Sequence, residues 1–225
     1  MHIKTSAWLI GSLLLAACRG PVVYNRGSSD LSEAREATAL SLAILGQQVP
    51  DFQLTSIDGT FVRLSDYIGQ IVVLEWFNPE CPFTEHAHTR GTLKDYPEAA
   101  RAQGIVWIGI DSSSEEKMGG NPEIARASRD AWAIEFPILV DPLGEVGRRF
   151  DATTTPGVFL LDTKGVLVYA GAVDNMPFGK VPGGGEGQNY IKDAIEDLLA
   201  DREVAVSHRE PYGCRVKYAQ PTLFR

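Results

Sequence analysis

From about residue 46 onward, short apolar runs alternate with polar stretches of helical composition. Phe52-Gln53-Leu54-Thr55 and Phe61-Val62-Arg63-Leu64 flank the turn dipeptide Asp58-Gly59 and predict a β-hairpin. Ile71 to Phe77 is an unbroken apolar run apart from Glu75, the pattern of a strand buried on both faces. Pro79, Cys81 and Pro82 end it, and Pro82 suits the first position of a helix running through His88 and Leu93 towards Ala99. The alternation repeats with a strand at 105–110, a helix at 122–134, a strand at 137–140 and a short helix at 145–150. Strands at 157–161 and 166–169 pair around Thr163-Lys164-Gly165, and an amphipathic helix at 190–200 closes the domain. Strands alternating with helices predict an α/β fold, a sheet covered on both faces. Residues 201–225 read as an extended tail.

The first 17 residues differ in kind. Lys4 precedes the apolar run Ala7 to Leu15, which is too short to span a bilayer, and small residues follow. Leu15-Ala16-Ala17-Cys18 resembles the lipobox of bacterial lipoproteins, which implies cleavage before Cys18 and its acylation; an ordinary secretory leader cut after Ala17 is the alternative. Several acyl chains would hold the protein durably at a membrane. Arg19 in the second mature position then points to the outer membrane and a periplasm-facing protein. Residues 18–45 form a tether rich in Gly, Ser and Asn, with a short helix expected from the capping pattern Asp30-x-x-Glu33 to about Leu45.

Length and charge narrow the function. With 225 residues, 44% of them hydrophobic, the chain supports one sizeable core, placed at 46–200. A net charge of −8 without basic clusters argues against nucleic acid and leaves proteins or small molecules as partners. Lipidation of Cys18 leaves Cys81 and Cys214 as the only thiols, in a compartment that permits disulfides.

Cys81 stands where the buried strand hands over to a helix. Free backbone N–H groups and the helix dipole there favour its thiolate, the nucleophile of disulfide exchange and peroxide reduction, while the adjacent Glu80 opposes that charge. A buried, inert cysteine is the bland alternative.

Five segments in order carry a family resemblance. They are Gly46 to Leu54 with Asp58-Gly59-Thr60 and Leu64 to Tyr67; Trp76 to Thr84 around Cys81; Asp141 to Phe150; Thr155-Pro156-Gly157 with the strand to Asp162; and Gly213-Cys214-Arg215-Val216-Lys217. Together they resemble the redoxin, or AhpC/TSA-like, branch of the thioredoxin superfamily, in its peroxiredoxin-like group. The resemblance implies a thioredoxin-like fold with a central mixed sheet flanked by helices, no cofactor, and a protein disulfide or peroxide as substrate with a thiol electron donor. It also implies a cis peptide between Thr155 and Pro156, where a substrate strand can pair beside Cys81. Departures matter. Thr84 stands where a classical thioredoxin has its second cysteine, and Asn78 and Leu74 replace the Thr or Ser and the Pro of a true peroxiredoxin. Cys214 could swing in to resolve an oxidised Cys81, could staple the tail to the core with about 4–5 kcal/mol of loop-closure stabilisation, or could never meet it.

Two further readings compete. Cys81 with His86 and His88, or with His208, suggests a copper site similar in role to Sco-type proteins, but helical geometry turns His86 away and sets His88 about 10 Å along the axis, so surface histidines are the simpler expectation. A non-catalytic redoxin fold with a permanent Cys81–Cys214 bridge is the other. Gly183 to Gly187 lacks the Lys and Ser/Thr of a phosphate loop and reads as a connection, and Trp107 and Trp132 read as core or interface.

Overall fold

The computed structural model describes residues 42–220. The expected hairpin forms from β1 (Gln53–Ser56) and β2 (Phe61–Arg63), with Gly59 at a positive φ of 84° closing the turn. β3 (Val72–Trp76) is wholly buried and central. It pairs in parallel with β4 (Val106–Asp111), which pairs in parallel with β5 (Ile138–Val140). On its other side β3 meets β7 (Gly157–Leu161) antiparallel, and β7 continues to β8 (Leu167–Gly171). β1 adds antiparallel to β5, so the sheet is mixed, as the resemblance implied.

Alternation along β3 sorts the core into two layers. Val72, Leu74 and Trp76 face a cluster with Ile108, Ile110, Phe159 and Phe150. Val73 and Phe77 face the opposite cluster, with Trp107, Leu160 and Ile138. That second face is covered by α1 (Pro82–Thr89), α2 (Tyr96–Arg101), α3 (Pro122–Ala131) and α5 (Tyr190–Leu199), through Ala87, Ala100, Ala125, Ile191 and Ile195. α4 (Glu145–Arg149) contributes Val146 to the first.

Several expectations need correction. The single helix from Pro82 towards Ala99 is two: α1 ends at Arg90, whose φ of −143° is not helical, and Pro97, which has no N–H, opens α2. Gly91 lets the chain turn, because a Cβ there would crowd the Ala87 Cα at 2.9 Å. The tail is extended, as expected, and it also pairs with the domain. β9 (His208–Arg209) adds parallel to β8, and β10 (Cys214–Arg215) pairs antiparallel with the two-residue β6 (Thr154–Thr155). The leader, Cys18, the tether and most of the helix expected before Leu45 lie outside the described residues; residues 42–45, which are described, are not helical. Among the described residues no helix is long and apolar enough to cross a membrane.

Candidate active site

The corner after β3 is built by Asn78. Its Oδ1 accepts the Glu80 N–H at 2.8 Å, and its Nδ2 donates to the Ser113 hydroxyl at 3.3 Å and the Met118 carbonyl at 3.2 Å. Asn78 is fully buried, so these bonds fix the turn that delivers Cys81 to the N-cap of α1. Glu80, expected to act against a Cys81 thiolate, instead accepts the Gly119 N–H at 2.6 Å, and it is not among the groups that move the Cys81 pKa.

Cys81 is fully buried, and its thiol donates to the Thr155 carbonyl at 3.1 Å. The Thr155–Pro156 peptide is cis. Burial pushes the Cys81 thiol up, but donors around the sulfur outweigh it: the Cys214 thiol, the Thr155 hydroxyl, and the N–H and hydroxyl of Thr84 hold the pKa below the ordinary 9.0. Thr84 Oγ1 is buried and makes no hydrogen bond, so it is a spare donor beside the sulfur. The position that replaces the second cysteine of a thioredoxin thus supplies a donor.

Cys214 is brought to Cys81, and both are free thiols. The Cys214 pKa is pushed up to about 11 by burial, by donation to Cys81 and by the neighbouring charge, partly offset by Lys217. A polarised pair results, one sulfur predisposed to be thiolate and the other to carry the proton.

The tail reaches this position as a strap held on both sides. Tyr212 donates its hydroxyl to Asp174 Oδ1 at 2.6 Å and packs its ring on Phe83, centroids 5.9 Å apart. Beyond Cys214, the Val216 N–H donates to the Thr153 carbonyl at 3.0 Å, the Ser114 N–H to the Lys217 carbonyl at 2.9 Å, and the Tyr218 hydroxyl to the Ala152 carbonyl at 2.7 Å. The Arg148 guanidinium lies 4.7 Å over the Tyr218 ring. Gly144 and Gly147 leave room for that ring, since a Cβ at either would overlap it.

The histidines part company. His88, expected on the surface, is buried on the helix face formed with Thr84 and Ala87, and its Nε2 meets Glu75 Oε1 at 2.7 Å. His86 packs against Phe178, ring centroids 5.5 Å apart. His208 Nδ1 pairs with the Ala170 carbonyl at 2.9 Å. Among the described residues no three His, Cys, Asp or Glu are grouped to hold a metal ion. Trp107 is buried and donates to Glu75 Oε2 at 2.9 Å.

Sequence reasoning missed an acidic layer at the ends of β4 and β5. Ser112 receives the Trp76 indole N–H at 3.1 Å and donates to Asp141 Oδ2 at 2.6 Å, while Asp141 accepts the N–H groups of Glu145 and Gly147 at the start of α4. Asp111 accepts the Ser113 N–H at 2.9 Å; burial pushes its pKa up to about 7, against the Ser113 hydrogen bonds and with help from Asp141 and Glu80. The available signal was an Asp closing each of two neighbouring parallel strands, the edge where α/β sheets place their sites.

The comparisons agree with this geometry. The family described as the AhpC/TSA family matches residues 45–170. The 2-cysteine peroxiredoxin, chloroplastic, of Chattonella marina var. antiqua is 28% identical over 60% of this chain and 73% of its own length. The thiol-disulfide oxidoreductase ResA of Geobacillus kaustophilus is 25% identical over 68% of this chain and 78% of its own. A crystal structure of an uncharacterized conserved protein, also from Geobacillus kaustophilus, superposes with a TM-score of 0.70 at 27% identity, covering 81% of this chain and 95% of that one. A thioredoxin-like mixed sheet, a cysteine at the β3–α1 corner and a family match over more than half its length together show that the chain belongs to the AhpC/TSA family.

Proposed function

We propose that this protein is a thiol oxidoreductase of the bacterial envelope whose redox centre is the couple Cys81–Cys214. The carrying observation is the juxtaposition of the two thiols at Thr155: the buried Cys81 donates to the Thr155 carbonyl and Cys214 stands opposite Thr155 in the β6–β10 pair, with the Cys81 pKa lowered and that of Cys214 raised. In the direction that reduces a substrate, Cys81 thiolate attacks one sulfur of a substrate disulfide and expels the other as thiolate. Cys214, losing its proton, then attacks the Cys81 sulfur and releases the substrate's remaining thiolate. The substrate ends reduced and the protein carries the Cys81–Cys214 disulfide, which an external thiol donor reopens.

Disulfide exchange is favoured over peroxide reduction by the state of Asn78. In the place of a peroxiredoxin's Thr or Ser, its amide is spent on Ser113 and Met118 and is not free to orient a peroxide. The Thr84 hydroxyl supports the peroxide reading as a second one, because it is a buried, unpartnered donor beside the reacting sulfur. There Cys81 would take one peroxide oxygen as sulfenic acid, and Cys214 would displace it as water. The leader pattern supports periplasmic exposure with a lipid on Cys18, at the outer membrane by the Arg19 tendency.

Replacing Cys81 tests the function. Cys81→Ser should abolish turnover of both a model disulfide and hydrogen peroxide in a coupled thiol-consumption assay; unchanged turnover of both would end this reading.

A further inference from the structure

The edge of β6 beside Pro156 is already occupied. Cys214 stands opposite Thr155 and Arg215 opposite Thr154 in antiparallel register, and the Val216 N–H on Thr153 extends the pairing. The Thr155 carbonyl is approached from two sides, by the Cys81 thiol and by the backbone of Gly213. Gly213 has a φ of 138°, and a Cβ there would overlap that carbonyl oxygen. Only glycine satisfies both demands. An external strand cannot use this edge while the strap is docked, and Cys81, fully buried, offers no other approach.

The strap is therefore a template of what the edge accepts. It places a cysteine sulfur at Cys81, a residue without a side chain just before it, and an apolar residue two positions later, since Val216 packs on the core cluster of Phe150 and Phe159. We propose that residues 212–216 are a resident pseudosubstrate, and that the edge receives, when they lift away, an extended polypeptide segment whose disulfide-bonded cysteine directly follows a glycine. The inference rests on the reading of Cys81 as the nucleophile. The strap is held by non-covalent contacts in the dithiol form and would be fastened by the Cys81–Cys214 bond once formed, so the reduced protein is the form open to a partner.

The test uses full-length protein in a Cys214→Ser background, closed, and the same protein with Gly213→Val, whose added side chain expels the strap. The probe is a peptide with the sequence of residues 212–216, its cysteine joined to 5-thio-2-nitrobenzoate. Attack by Cys81 forms the protein–peptide disulfide and releases the coloured thiolate. The released variant should react at least about tenfold faster than the closed one. With valine in place of the peptide's glycine, that rate should fall by at least about tenfold. Equal rates for the two proteins, or for the two peptides, would overturn the proposal. If Gly213→Val does not fold, Tyr212→Phe with Tyr218→Phe, which removes two hydroxyl anchors, replaces it. A small aromatic disulfide reports Cys81 separately. If it is inert towards every variant, the nucleophile reading falls, and the edge is then judged by NMR with a serine-containing peptide: amide shifts at Thr154 and Thr155 in the released variant alone uphold it, and their absence refutes it.

Discussion

Helix α1 holds a buried polar pairing at each end, and the two are finished differently. Near its C-terminal end, His88 meets one carboxylate oxygen of the fully buried Glu75 while the Trp107 indole takes the other, so each oxygen is satisfied. At its N-terminal end, several donors stand around the Cys81 sulfur, and one of them, the Thr84 hydroxyl, has no hydrogen-bond partner. A closed set of hydrogen bonds describes a structural pair, because nothing in it improves if charge appears or moves. A surplus of donors around a sulfur describes a site prepared for negative charge. One helix thus separates stability at one end from reactivity at the other.

The largest effect expected from breaking this division is on stability. His88→Ala leaves the buried Glu75 oxygen without its partner and should cost about 3–5 kcal/mol of unfolding free energy, measured by urea denaturation. His88→Gln, which can restore a donor, should lose less. In both, alkylation of Cys81 in the folded protein should keep its pH dependence; a shifted profile would join the two ends and undo the comparison.

A smaller effect sharpens the reactive end. Thr84→Val removes the hydroxyl but keeps the N–H and the branched shape, so the Cys81 pKa should rise. The sign follows from the thiolate being the form that the hydroxyl stabilises: the climb of alkylation with pH moves to higher pH in the variant than in the protein that keeps Thr84. Iodoacetamide kinetics against pH, in a Cys214→Ala background for both proteins, read this directly. An unmoved profile would mean that the Thr84 hydroxyl does not act on the sulfur. The thermal midpoint should change little, since the hydroxyl has no other partner to lose.

Much of this arrangement could be read from residue patterns, and the failures at the site share a cause. The hairpin at Asp58-Gly59, the buried β3 run and the Cys81 corner are written in local periodicity and turn chemistry, and all three stand in the structure. Asn78 could be seen as a departure from the peroxiredoxin pattern, but not as the clasp of the corner, because Ser113 and Met118 are 35 and 40 residues away along the chain. His88 read as a surface residue because its neighbour Glu75 lies on a different element, 13 residues earlier. The docking of the tail was hidden for the same reason. Tyr212, Gly213 and Tyr218 make sense only against Asp174, Thr155, Gly144 and Gly147, contacts between segments distant along the chain. What stayed illegible was long-range polar pairing, which carries no periodic signature.

The central claim is that Cys81 and Cys214 are two halves of one redox couple. Its most direct test is peptide mapping by mass spectrometry after mild oxidation of the purified, reduced protein, with free thiols alkylated before digestion. The account predicts a cross-linked pair of peptides containing Cys81 and Cys214, lost on treatment with reductant and accompanied by loss of alkylation at both positions. Recovery of both cysteines as separate alkylated peptides, under conditions that oxidise a reference dithiol, would contradict it.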